Sequence, residues 1–341
     1  MKPNIFVVGT GGAIAAKKVK GVWLFDEFTA KDILEIVPEV NDKMQITASS
    51  LFRTDSADIQ PENWLTLAQM VYYKLPEVDG VVITHGTDTM HYTAIALSFL
   101  IQNLNVPIVL TGSQAIFDDV GSDAKRNLLD SLNVAAFADL AETVVVFNGK
   151  IIRGIRSKKV NASQFNGFRS LDCEKLGTVQ QFIYLNGKQR KRNNKKPRLC
   201  NTLEPSVSLL RIHPGFDPEM IELLVEKGVK GIVLEGYGLG NVPTKKRGLN
   251  EAIRNAEGAG IPVVITSECE LGRGWQKIYY PEIGKRLENL NVIHGYGMLS
   301  ETALIKLMWV LGQTSNMKKV EKLMHKNIAG ETNGIVGVTR K

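Results

Sequence analysis

The sequence predicts an α/β protein of two domains: a larger N-terminal domain built on a parallel Rossmann-like or flavodoxin-like sheet, and a smaller C-terminal α/β domain. Three observations predict it. Short apolar runs without polar alternation recur along the chain. Amphipathic segments of helical period lie between them. The same alternation resumes after a basic stretch near residue 190. Strands too apolar to be half exposed, separated by helices, belong in a parallel sheet covered on both faces.

The elements follow in order. Ile5-Phe6-Val7-Val8 is a buried strand ending in Gly9-Thr10-Gly11-Gly12. Thr29 to Val37 reads as a helix capped by Thr29 and stopped by Pro38. Pro61-Glu62 opens a second helix, with Trp64, Leu65, Leu67, Ala68 and Val71 as its apolar stripe. Val81–Thr84 is a strand, followed by a helix from about 91 to 102. Pro107–Thr111 is a strand, and Ser122 can cap a helix running to about Ala138. Thr143–Phe147 is the next strand. In the second half, Val207–Ile212, Gly231–Glu235 and Pro262–Thr266 are strands. Asp217-Pro218-Glu219 starts a helix by the cap-then-proline rule. Further helices fall near 248–259, 300–312 and 317–326. The expected divisions are a first domain over 1–185, a basic linker over 186–206 and a second domain over 207–341.

Composition excludes several classes. A chain of 341 residues, 44% hydrophobic and 23% charged, is neither disordered, nor a coiled coil, nor collagen-like. No apolar run approaches the roughly 18 to 20 residues that span a bilayer. The short apolar start is broken by glycines and reads as a strand and turn rather than a signal peptide. Cys173, Cys200 and Cys269 are odd in number and lack metal-ligand spacing, which points to reduced thiols in the cytoplasm. The five histidines form no H-E-x-x-H pattern, so no metal is expected. The net charge of +7 resides in one segment, Lys188 to Arg198, which holds seven Lys/Arg and no acid. Such a run reads as a solvated loop, with a nuclear-import-like or nucleic-acid patch as the alternative. No aromatic residue interleaves it, which speaks against single-stranded nucleic acid as a partner.

In open parallel sheets, ligands bind beyond the carboxyl ends of the strands, and small polar residues gather there: Gly9-Thr10-Gly11-Gly12, Asp55-Ser56, His85-Gly86-Thr87-Asp88-Thr89 and Gly112-Ser113-Gln114. This composition suits a small polar substrate held by backbone and hydroxyl groups. The glycine loop lacks both G-x-G-x-x-G and a P-loop, so it is equally a structural turn. A hydroxyl beside a carboxylate, Thr87-Asp88, can position a water or a substrate ammonium. Asp88 could instead cap the following helix.

Gly11-Gly12-x-Ile14-Ala15, Asp55-Ser56, His85-Gly86-Thr87-Asp88-Thr89, Leu110-Thr111-Gly112-Ser113 and Lys159 occur in the order of bacterial-type L-asparaginases. The chain resembles most of all the cytoplasmic type I branch. The likeness continues through Tyr237-Gly238-Leu239-Gly240-Asn241-Val242-Pro243 and Lys306–Gly312 and covers nearly the whole chain. It implies hydrolysis of L-asparagine to aspartate and ammonia through a threonine acyl-enzyme, with no cofactor and no metal. It also implies a homodimer or homotetramer, with Asn241 reaching in from a neighbouring copy. By the same resemblance, Thr87, Asp88 and Lys159 activate the nucleophile or water. Ser56, beside Asp55, binds the substrate α-carboxylate, Asp88 its α-ammonium, and the Ser113 carbonyl the amide nitrogen. Backbone N–H groups after the first and third strands stabilise the oxyanion. Cys269 falls where type I relatives have a cysteine near an allosteric asparagine site; a buried structural thiol is the simpler expectation.

The sequence departs from the family at its centre. The position of the nucleophilic threonine is Ala13, and a methyl group cannot attack a carbonyl. Thr10 matches a different family position and is not expected to substitute. The loop 20–25 also lacks the family's tyrosine, offering Trp23 and Phe25 instead. Two alternatives stand beside a silenced amidohydrolase. One is a non-catalytic asparagine or aspartate sensor. The other is a subunit of the asparaginase-like tRNA-dependent amidotransferase, whose N-terminal extension has no counterpart before residue 9.

Overall fold

The computed structural model describes residues 1–19, 22–24, 30–272 and 290–332 and divides into two compact units. Thr29, expected as a helix cap, and Phe25, one of the two rings in the stretch that lacks the tyrosine, lie outside the described residues. The first unit comprises residues 1–170 and 174–201, the second 171–173 and 202–341.

The first unit opens with β1 (Asn4–Gly9), a small hairpin of β2 (Lys17–Val19) and β3 (Val22–Leu24), then β4 (Gln45–Ser50). β5 (Gly80–Thr84), the short β6 (Ile101–Gln102), β7 (Ile108–Thr111) and β8 (Thr143–Phe147) follow. β9 (Lys150–Arg153), β10 (Ser157–Lys159), β11 (Phe168–Ser170), β12 (Gly177–Val179), β13 (Ile183–Leu185) and β14 (Arg198–Leu199) complete it. Helices α1 (Ala30–Glu35), α2 (Pro61–Lys74), α3 (Met90–Leu100) and α4 (Ala124–Phe137) lie between strands.

Eight strands form one sheet in the order β13-β12-β9-β8-β7-β5-β1-β4. The parallel part, β4-β1-β5-β7-β8, has the flavodoxin-like order 2-1-3-4-5. The expectation of a parallel sheet is therefore extended: β9, β12 and β13 add three antiparallel strands at one edge, making the sheet mixed. The central strands β5, β7 and β8 are buried at every residue, which their unbroken apolar sequences require. Ile5, Val7, Val82, Val109, Val144 and Val146 of the sheet pack with Leu128, Leu132 and Ala135 of α4.

The basic run departs from a solvated loop. Its backbone and several of its side chains, those of Lys188, Arg192, Asn193 and Arg198, are tied to the first unit. The Arg192 guanidinium, half-buried, donates to the carbonyls of Ala138 at 2.9 Å, Asp79 at 2.6 Å and Ala135 at 2.7 Å. Arg190 donates its N–H to Glu142, and β14 pairs antiparallel with β6, which ends α3 at Leu100 rather than near 102. The other Lys and Arg side chains of the run remain largely exposed.

The second unit carries an all-parallel sheet in sequential order: β15 (Val207–Arg211), β16 (Gly231–Gly236), β17 (Val263–Ser267) and β18 (Ile293–His294). Its helices are α5 (Glu219–Glu226), α6 (Asn250–Gly258), α7 (Ser300–Gln313) and α8 (Met317–His325). Asp217 accepts the Glu219 N–H at 3.1 Å, the local reason α5 begins there.

Candidate active site

The strand order reverses between β1 and β5, so the crevice beyond their carboxyl ends is the topological switch point of the first sheet. Thr10 follows β1 and His85 follows β5. Thr10 donates both its N–H and its hydroxyl to the Thr84 carbonyl, each at 3.0 Å, and is 1% exposed. Gly12 has φ of 86°, and a Cβ there would lie 2.3 Å from the Gly86 Cα. A Cβ on Gly86 would meet the Ser56 Oγ at 2.6 Å. Only glycine permits this approach, which brings the first and third loops and residue 56 into close contact.

Ala13 opens a short 3₁₀ turn, Ala13–Ala15, and is half-buried. Its carbonyl accepts the Phe117 N–H at 3.4 Å. Asp55 caps the turn Ser56–Asp58, accepting the Ala57 N–H at 2.9 Å. Ser56 is buried; its Oγ accepts the Asp88 N–H at 3.2 Å and its carbonyl accepts the Thr89 hydroxyl at 2.6 Å.

Lys159 ends β10, where strand alternation sends it to the face opposite Lys158. Its Nζ donates to Thr87 Oγ1 at 2.7 Å and to Asp88 Oδ1 at 2.6 Å. The Lys159 side chain is 16% exposed and that of Asp88 63%. Asp88 is therefore an ion-pair partner; the residue flanking α3 is Thr89, and no side chain caps that helix.

Ser113 is buried, and its Oγ has no hydrogen-bond partner among the described residues. Two residues that sequence reasoning missed hold its loop. Asp123 accepts the N–H groups of Gln114 and Ala115 at 3.0 Å, and Asn127 donates to the Gly112 carbonyl at 3.0 Å and to Asp123 at 2.9 Å. Their i,i+4 spacing at a helix start is the signal that could have found them. The role of His85 was missed too. It is buried, contacts Gly86 and Thr93, and burial pulls its pKa from 6.5 to about 4.

Asn241 and Cys269 belong to the second unit. Asn241 closes a turn in which it exchanges backbone hydrogen bonds with Tyr237, each 2.8 Å. Cys269 is exposed, which corrects the expectation of a buried thiol; its N–H donates to Ser267 Oγ at 3.0 Å. No disulfide joins the three cysteines. Among the described residues no cluster of His, Cys, Asp and Glu could hold a metal, and no helix is long and apolar enough to cross a membrane.

The family model of the asparaginase N-terminal domain matches residues 4–191, and that of the glutaminase/asparaginase C-terminal domain matches residues 206–324. The chain belongs to the asparaginase family. The thermostable L-asparaginase from Thermococcus kodakarensis superposes with a TM-score of 0.90 at 37% identity, covering 97% of this chain and 99% of that one. L-asparaginase I from Vibrio cholerae O1 biovar eltor str. N16961 gives 0.85 at 30% identity, covering 98% of this chain and all of that one. Among curated relatives, a glutamyl-tRNA(Gln) amidotransferase subunit from Methanobrevibacter smithii is 38% identical over 97% of this chain and 77% of its own length. Its counterpart from Thermococcus kodakarensis is 39% identical over 96% and 76%. The asparaginase fold is that of an amidohydrolase, and the candidate site lies beyond the carboxyl ends of the parallel strands.

Proposed function

We propose that this chain binds L-asparagine and keeps the water-activating half of an asparaginase, while the acyl-enzyme route to aspartate and ammonia is closed at Ala13. The observation that carries this reading is the Lys159 ammonium bridging Thr87 Oγ1 and Asp88 Oδ1 beside the glycine loop. Because Lys159 donates to Thr87 Oγ1, the Thr87 O–H is left to point at a water or the substrate. In this reading Ser56 takes the α-carboxylate, Asp88 the α-ammonium and the Ser113 carbonyl the amide N–H. Asn241 comes from a neighbouring copy of a homodimer or tetramer, and the chain works in the cytoplasm without cofactor or metal.

A threonine at position 13 would form a bond to the amide carbon, expel ammonia and leave an ester. The proton of that threonine leaves with the ammonia; water would then add its hydroxyl to the acyl carbon and pass its proton, by way of the Thr87 hydroxyl that Lys159 holds in place, to the departing threonine oxygen, which frees aspartate and restores the hydroxyl. The methyl of Ala13 has neither lone pair nor acidic proton, so the first step has no nucleophile there. Thr10 does not replace it, because its hydroxyl is buried and engaged with Thr84.

A second reading has a specific observation behind it: curated relatives matching nearly the whole chain carry the name of a glutamyl-tRNA(Gln) amidotransferase subunit. The chain would then be one component of such an assembly, with the exposed cations of 188–198 facing tRNA. A tRNA complex that survives physiological salt supports it; weak, salt-sensitive binding does not, since any basic surface gives that.

The test is ammonia release from L-asparagine by this chain and by Ala13→Thr, with asparagine binding measured calorimetrically for both. The expected result is binding by both and turnover faster in Ala13→Thr by about 10⁴-fold or more. Equal turnover would remove Ala13 from the nucleophile position. Binding with no turnover in either makes the chain a sensor. No binding in either sinks the asparagine assignment.

A further inference from the structure

We propose that Trp64, Thr93 and His85 form a one-way hydrogen-bond relay that aims the Thr87 backbone N–H into the site, making His85 a positioning residue. Its catalytic consequence rests on the amidohydrolase reading above; its direction does not.

The direction follows from what each group can do. The Trp64 indole N–H only donates, and it meets Thr93 Oγ1 at 3.1 Å. The Gly86 carbonyl only accepts, and it meets His85 Nδ1 at 2.7 Å. Nδ1 therefore carries the proton. Burial keeps the ring neutral at ordinary pH, so Nε2 is bare. The Thr93 hydroxyl, 2.9 Å from Nε2, must donate to it while accepting from Trp64. One proton arrangement satisfies all three links. Thr93 is fully buried, and His85 and Trp64 nearly so, which denies the chain a water as substitute.

The peptide between Gly86 and Thr87 is trans and planar, so its C=O and N–H point in opposite directions. Holding the Gly86 carbonyl against the buried imidazole turns the Thr87 N–H the other way. Gly86 is already pressed between Gly12 and Ser56, where a Cβ would clash. Rotation of the peptide plane is the motion left to it, and the His85 bond removes that motion. The same residue, Thr87, carries the hydroxyl bound to Lys159. A fixed N–H beside that hydroxyl is suited to an oxyanion formed at the substrate carbonyl, where donors work only if already aimed.

The test has two arms. In the chain as it stands, nitrogen NMR of labelled histidine reads the His85 tautomer, its signals assigned by their loss in His85→Gln. A protonated Nδ1 and bare Nε2 are expected. Thr93→Val removes the donor to Nε2 while the Gly86 carbonyl still keeps the proton on Nδ1; it should move the Nε2 and Thr87 amide resonances, and Thr93→Ser should restore both. A protonated Nε2 in the unmodified chain overturns the relay, even where Thr93→Val fails to fold. So does an unmoved Thr87 amide in a folded Thr93→Val. The second arm repeats the substitutions in Ala13→Thr. Thr93→Val should lower kcat about tenfold or more with KM within about twofold, and Thr93→Ser should recover it. Moved Nε2 and Thr87 amide resonances with unchanged kcat would leave the relay merely structural and overturn the positioning role. If Ala13→Thr itself releases no ammonia, the functional reading fails, and the tautomer and amide response still decide the relay.

Discussion

Replacing Lys306 by methionine removes the cation of a closed polar site in the second unit. Lys306 on α7 and Glu331 beyond α8 are both 0% exposed, with Nζ and Oε1 2.7 Å apart. Nζ also donates to the carbonyls of Met324 and Lys326, each at 2.7 Å, at the end of α8. Glu331 in turn accepts the N–H groups of Ile328 at 2.9 Å and Ala329 at 2.7 Å. The ammonium thus joins a carboxylate to a helix end whose carbonyls lack helical partners. Lys306→Met leaves Glu331 as a buried charge without its cation, a change that costs about 3 to 5 kcal/mol. Glu331→Gln destabilises as well, because the amide sets a donor against the Ile328 or Ala329 N–H. The double variant should lose less than the sum of the two, by about 1 to 3 kcal/mol, since each single change already breaks the shared site. Urea unfolding gives the free energies, and hydrogen exchange at the Ile328 and Ala329 amides reports the site locally. A cost below about 1 kcal/mol for Lys306→Met with both amides still protected would refute the reasoning, as would strict additivity.

Two further outcomes are expected. Burial holds both His85 and His294 near pKa 4 against an ordinary 6.5, with the neighbouring His325 also disfavouring charge on His294. Their folded pKa lies below the unfolded one, so the unfolded chain binds more protons in between. Their contribution is complete above about pH 6.5 and falls as pH drops towards 4, by about 3 kcal/mol per histidine. Urea midpoints at pH 7.5, 5.5 and 4 (assay conditions chosen at about the window's edges) measure it, and a flat series would contradict the burial argument. Gly12→Ala should cost at least about 2 kcal/mol, because a positive φ and a Cβ 2.3 Å from Gly86 act together. Gly228→Ala, also at positive φ but with nothing within 4 Å, should cost less by thermal denaturation. Equal losses would mean the close approach of the two loops contributes nothing.

The parts of the fold legible in the sequence are those in which burial leaves a periodic trace. β5, β7 and β8 are buried on both faces, so their sequences are apolar throughout. β4, Gln45–Ser50, is an edge strand with no fully buried residue, and its polar sequence carries no such trace. The antiparallel strands β12 and β13 have three residues each, too few for a period to show. Charge counting locates the basic run but cannot register that Arg192 spends its guanidinium on three backbone carbonyls. In the site, the glycines and the Thr87-Asp88 pair lie on loops, where small polar residues stand out after apolar strands. The relay does not stand out. Trp64 belongs to an ordinary helical stripe, and its N–H matters only because α2 and α3 pack together in space, bringing it to Thr93.

The departure at Ala13 gains meaning from what surrounds it. A site that had lost its function through drift in packing would show slack loops and unpaired charge. Here Gly12 and Gly86 still interlock, Ser56 still holds the Asp88 N–H, and Asp123 with Asn127 still holds the loop of Ser113. Lys159 still reaches both Thr87 and Asp88. None of these contacts uses the side chain at position 13. On the proposed reading, the alanine there lacks a hydroxyl without releasing any restraint on the other groups, so ligand binding and turnover are expected to be separable in this chain. Substrate affinity should follow the contacts that persist, and the rate should follow the one atom that is absent. A difference between this chain and Ala13→Thr confined to turnover is the outcome the proposed function predicts.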